Sequence, residues 1–183
     1  INALETIHKN GIPCLNLCSA SIFLNARKDA YIGNFIRNFY QEQYESRGCN
    51  KIYYRHPEMI KDVEKIRIKE IDSINEDNYV KYDMYSLGVL LYEIITETSP
   101  DTLFGNFPRE KRLSILGNDY LDFLFKDYKN NDETFDEKFG LKGISSIIEK
   151  CMKGEFDNFE KILDDMQTLI KENNMIDIIN YRI

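Results

Sequence analysis

The chain has little of what marks three large classes of protein. Cysteine is scarce: the 183 residues hold Cys14, Cys18, Cys49 and Cys151, with no CxxC pair. That spacing excludes a disulfide framework and points to free thiols in a reducing compartment, hence to an intracellular, cytoplasmic setting. A zinc site built from Cys14, Cys18 and a distant histidine is the minor alternative. Basic charge is not in excess. Asp and Glu outnumber Lys and Arg by 31 to 24, a net charge of −7, so no nucleic-acid footprint is expected. Long apolar runs are missing as well. The longest, Leu87 to Ile95, is interrupted by Glu93 and is far short of a membrane span. No internal repeat is present. Ile1 to Lys9 reads as the end of a helix and not as a secretory leader, so the chain is expected to be a piece of a longer protein.

The composition that remains is that of a globular domain, with 43% hydrophobic and 30% charged residues. At this length one domain can bury a core of its own. Ala3 to His8 has Leu4 and Ile7 on one face and is closed by Asn10-Gly11, which predicts a short helix. Three strand-sized apolar runs follow: Ile12 to Leu17, Ile22 to Leu24 and Tyr31 to Phe35, the last two separated by a polar turn, Asn25 to Asp29. Gln41 to Asn50 reads as a polar loop, Glu58 to Lys65 as a short helix, and Ile66 to Asn78 as a charged insertion.

The strongest helical signal spans Tyr82 to Thr96. Met84, Leu87, Leu91, Ile94 and Ile95 form one face, and Val89, Leu90 and Tyr92 carry apolar surface around most of the cylinder. Such a helix is buried on most sides, so it is expected at the centre of a helical domain. Further helices are expected over Pro108 to Leu116, Leu141 to Met152 and Phe156 to Lys171. Tyr120 to Phe125 should pack on the core, and Lys126 to Glu137 reads as a surface loop. His8 reads as a helix-end packing residue and His56 as a loop residue beside Pro57.

Four stretches carry a resemblance. "IHKNGIPCLNLCSASIFL" is in register with the kinase pattern LHxxGIVHRDLKPSNILL, and "IGNFI" (Ile32 to Ile36) with IGDFG. "HPE" (His56 to Glu58) matches APE. "DMYSLGVLLYEIITETSPDTLF" (Asp83 to Phe104) matches DVWSLGVLLYELLTGxxPF and is the most specific of the four. The order and spacing resemble the C-terminal lobe of a protein kinase over nearly the whole chain. The resemblance implies a mainly α fold, a helical large lobe with a few short strands near the catalytic loop. It would span residues 1–183, with 11–25 as the catalytic-loop equivalent and 34–58 as the activation-segment equivalent. The small lobe would lie outside this chain.

The departures from the family fall on its chemistry. Asn16 stands where the family has the Asp that accepts the substrate proton. A neutral amide is no general base, and losing one typically costs roughly 10²–10⁴ in rate. Cys18 replaces the loop Lys, a cation beside the transferred phosphoryl group. Ser21 replaces the metal-binding Asn, and Asn34 the metal-binding Asp, although magnesium favours charged oxygens. Ile36 replaces the DFG Gly, and Leu15 the Arg that reads activation-loop phosphate. The frame is kept: Asp83 is expected to bond loop amides, Phe35 and Cys14 to fill apolar spine positions, and Gly88 to keep its place in the central helix. Glu58 lacks its usual Arg partner and is expected either to find another cation, such as a Lys, or to lie exposed.

The resemblance thus implies a catalytically inactive pseudokinase acting as a signalling scaffold or allosteric regulator of protein partners. It would have no catalytic residue, no metal site, and no ATP binding by this chain alone. Two alternatives stay open: an unconventional nucleotide-dependent transferase relying on Cys18 or Ser21, and a regulatory kinase-homology segment of a larger multidomain protein.

Overall fold

A computed structural model describes residues 1–33, 51–60, 78–129 and 133–173. The described residues are mainly helical, with two short strands. Asn34, Phe35 and Ile36, the loop expected over 41–50 and residues 66–77 of the insertion expected over 66–78 lie outside the described residues. So do residues 61–65 of the expected helix, whose described part runs from 57 to 60.

Helix α1 spans Asn2–Lys9, followed by an irregular segment, a 3-10 turn at Ser19–Ser21, and the strands β1 (Ile22–Leu24) and β2 (Ala30–Ile32). The strands pair antiparallel with Phe23 opposite Tyr31. Their connection is set by Asn25, whose side-chain oxygen accepts the N–H groups of Arg27 and Asp29, both at 2.9 Å. Ile12 to Leu17, expected as a strand, is not one. The amides of Cys14 and Leu15 bond a side-chain carboxylate instead of a neighbouring strand.

Helix α2 runs over Tyr79–Thr96, three residues earlier than the apolar pattern starts. Every residue from Tyr82 to Leu90 is buried, as expected for a cylinder apolar on most sides. It ends where Glu97 turns left-handed (φ 53°). Ser99 then caps α3 (Pro100–Phe104), with Pro100 at its first position, where the missing N–H costs nothing.

The C-terminal half departs from the sequence reading in its boundaries. Helix α4 (Arg109–Ser114) does not stop near Leu116. It passes through a π-helical turn, Ile115–Asp119, into α5 (Tyr120–Lys129). Nor is Lys126 to Glu137 a plain loop, because α5 reaches Lys129 and a further helix, α6, forms over Phe135–Phe139. The cause is a reciprocal cap: Thr134 Oγ1 accepts the Glu137 N–H, while the Glu137 carboxylate accepts the Thr134 N–H. Phe135 is thereby buried against Tyr92, Phe125 and Tyr128. Helix α7 (Ile144–Lys153) starts later than expected because Gly140 and Gly143 are both left-handed. The Asp136 carboxylate receives the N–H groups of Gly143 and Ser145, at 2.7 and 2.9 Å. Helix α8 (Phe159–Glu172) starts at Asn158, which accepts the Lys161 N–H.

Helix α2 packs chiefly on α7. Gly88 sits at the closest approach: a Cβ there would lie 2.7 Å from Met152 Cγ and 3.1 Å from both Cys151 Cβ and the Ile148 carbonyl oxygen. A Gly88→Ala variant is therefore expected to lose about 1–3 kcal/mol, despite alanine's better helix propensity, because two packed helices must separate. Urea unfolding checks this. A neutral or stabilising effect would contradict the packing described.

Candidate functional site

The site is organised by one buried carboxylate. Asp83, in the second turn of α2, is wholly inaccessible to solvent. Its Oδ2 accepts the Cys14 N–H and its Oδ1 the Leu15 N–H, both at 2.7 Å. His8 Nε2 lies 2.8 Å from Oδ2. A carboxylate only accepts, so His8 presents a hydrogen at Nε2. Leu15 has a positive φ of 49°, a bend that lets successive N–H groups face one concavity. A non-glycine residue in that region costs roughly 1 kcal/mol. The charge-assisted bonds offset that cost. His8 also rests on Phe159, with ring centroids 4.9 Å apart. The packing role expected of it is only half its work, because it ties α1, α2 and α8 together.

The residues that follow show what the loop can do chemically. Ser21 is buried, and its hydroxyl accepts the Cys18 N–H at 2.9 Å while donating to the Cys18 carbonyl at 2.8 Å. It serves the turn and offers nothing outward. Cys18 is buried. The Cys14 thiol is pushed up to about 12 by burial and then by the neighbouring Asp83 charge, so it stays protonated and unreactive. Asn16 is half-buried in a crevice of about 10 Å³ shared with Cys18, Tyr54, Arg55 and Ser86. That volume is on the scale of one water molecule. Among the described residues, no group of three or more His, Cys, Asp or Glu side chains is placed to hold a metal. No described helix is long and apolar enough to cross a membrane. Asn34, expected in the same site as Asn16, and Phe35, expected at an apolar spine position, lie outside the described residues.

Tyr54 and Arg55 of the segment 51–60 line this crevice. Glu58 finds a lysine: Lys81 Nζ is 3.2 Å from Oε1, and the Tyr82 hydroxyl donates to Oε2 at 3.3 Å. The carboxylate is half exposed, so the pair contributes little stability, in the range of about 0–1 kcal/mol. His56 corrects its expected role as a plain loop residue. It is buried between the rings of Tyr82 and Tyr85, each with its centroid 5.1 Å away. Its Nδ1 accepts the Glu58 N–H at 3.2 Å and so caps the helical turn at 57–60. Gly88 is remote in role, a packing residue between α2 and α7.

Sequence reasoning missed two tyrosine contacts. The Tyr54 hydroxyl donates to Glu93, which explains an acid inside the apolar run of α2. The Tyr53 hydroxyl receives an N–H of Arg112 at 3.1 Å. The signal available was the lone Glu93, a charge that a buried helix tolerates only with a partner.

No protein-family model matches the chain, and no curated protein matches it.

Two outcomes follow from this geometry. Asp83→Asn places an amide where three donors converge, and is expected to cost about 2–4 kcal/mol of stability by denaturant unfolding. The second concerns acid. Burial, reinforced by Lys81, pushes His56 down from 6.5 to about 4. The neutral ring is the folded form, so its contribution is complete above pH 6.5 and is lost as pH falls toward 4. Between pH 7 and 5 the wild type is expected to lose about 1–2 kcal/mol more than His56→Gln. Parallel stability curves for the two proteins would contradict the burial of a neutral imidazole.

Proposed function

We propose that the chain is the large-lobe part of a kinase-like domain that has given up phosphoryl transfer and acts as a scaffold or allosteric partner for other proteins. One observation carries this reading. The loop 11–25 is held to the central helix by the buried Asp83, while the positions that would do chemistry hold Asn16, Cys18 and Ser21. A phosphotransferase needs a carboxylate base, a cation and metal-binding oxygens there. These side chains supply neither the base nor the cation, and only neutral oxygens for a metal that favours charged ones.

The transferase alternative is disfavoured by placement. It needs Cys18 or Ser21 to reach a substrate, and both are buried, with the Ser21 hydroxyl engaged as donor and acceptor inside its own turn. Partner surfaces on this reading are the helix around Pro108 to Leu116, the insertions at 66–78 and 126–137, and the C-terminal tail at 175–183.

The test is direct. The full-length protein that contains this chain, incubated with labelled ATP and magnesium or manganese, is expected to transfer no label above a heat-treated control. Robust transfer that disappears in an Asn16→Ala or Asn34→Ala variant would overturn the proposal.

A further inference from the structure

The helical run 109–129 is interrupted by the π turn at Ile115–Asp119. Such a turn is an α-helix with one residue too many, so it leaves the two arms out of register. The arms are held unequally. Helix α5 is docked: Leu124 and Phe125 are buried, and the Tyr92 hydroxyl of α2 donates to the Leu124 carbonyl at 2.9 Å. Helix α4 buries no residue. Of the Arg112 bonds to Gly105, Phe107 and Tyr53, only the last reaches beyond the adjoining α3–α4 connection. Helix α4 is therefore the arm that can turn.

Three neighbouring residues bear on the turn. Gly117 does not serve a close approach, because a Cβ there would meet nothing within 4 Å outside its own helix backbone. What it supplies is a soft backbone in mid-helix. Asn118 favours the bulge. In an α-helix the Ser114 carbonyl takes the N–H four residues on; here it receives the Asn118 side-chain amide, at 3.2 Å. Tyr120 works the other way. Its ring is buried against Phe104, yet its hydroxyl has no hydrogen-bond partner among the described residues. Burial pushes the phenol well above its ordinary range, so it keeps its hydrogen. A buried donor left unpaired favours any arrangement that frees it.

We infer that the α4–α5 run is a two-register switch: α4 turns by one residue against the docked α5, with Asn118 holding the bulged register and the unpaired Tyr120 hydroxyl favouring the other. When the extra residue passes into the α3–α4 connection, α4 rotates by about 100° and shifts about 1.5 Å along its axis. A different face of α4 then meets solvent in each register, with Arg109, Glu110, Lys111 and Ser114 outward in this one. The switch goes beyond the function proposed above, because it needs only the helix itself.

Hydrogen exchange resolved to single amides by NMR, on the full-length protein that contains this chain, tests the switch. In the wild type the amides of Leu116 to Asp119 are expected to exchange about 100-fold faster than those of Leu124 and Phe125, and almost independently of urea, because turning α4 exposes little new surface. Asn118→Ala should speed this urea-independent exchange by about 5-fold to 10-fold, and Tyr120→Phe should slow it by a similar factor. Deleting Gly117 removes the extra residue, so that variant should fold and protect Leu116 to Asp119 as well as Leu124. Equal, urea-dependent exchange from Leu116 to Phe125 in the wild type would overturn the switch. So would faster exchange in Tyr120→Phe, which would show that the hydroxyl has a partner in this register. Failure of the deletion variant to fold would overturn it too, because the second register must fit the rest of the chain.

Discussion

The structure depends on a charge buried where water cannot reach it. Removing a carboxylate from water is costly unless donors replace the lost hydration. Asp83 has three, from Cys14, Leu15 and His8, and each belongs to a different stretch of backbone from its own. That requirement determines the path of residues 8–15. A strand through Ile12 to Leu17 would satisfy the same amides, but it would leave the carboxylate bare. The left-handed Leu15 is the local cost of the arrangement, small beside an unpaired buried charge.

From this point the remaining architecture follows by packing. Asp83 can be buried only if α2 is buried, and α2 is enclosed from Tyr82 to Leu90. Enclosure on the α7 side is possible because Gly88 removes a side chain at the contact with Ile148, Cys151 and Met152. On the other side, Glu93 is accommodated by the Tyr54 hydroxyl, and Tyr53 joins an aromatic group around Phe104 that includes Tyr120 and Phe123. The bonds to Asp83 come from the Cys14 and Leu15 amides and from His8, and Ser21 has turned inward to serve the 3-10 turn.

Much of this was legible in the residues. The continuous apolar character of α2 predicted its central place, and the polar stretch Asn25 to Asp29 predicted the turn between the two strands. The short helices were harder. Helix α6 is specified by the Thr134 and Glu137 cap, a four-residue signal inside a polar stretch that reads as loop when only apolar periodicity is counted. The π-helical turn at Ile115–Asp119 has no comparable sequence signature, so the continuation of the helical run beyond Leu116 into α5 is not legible. The histidines are only partly legible for a different reason. His8 reads as a packing residue and His56 as a loop residue beside Pro57, and only tertiary placement shows which polar atom each faces. The same holds for Tyr53 and Tyr54, whose partners are 59 and 39 residues away.

The account's central claim is that a single buried carboxylate holds the loop to the central helix. Native-state hydrogen exchange at the amides of Cys14 and Leu15 tests it most directly. Both should exchange only through global unfolding, with the same free energy and urea dependence as the interior amides of α2. Exchange of either amide at the fast, urea-independent rate of an open loop would contradict it.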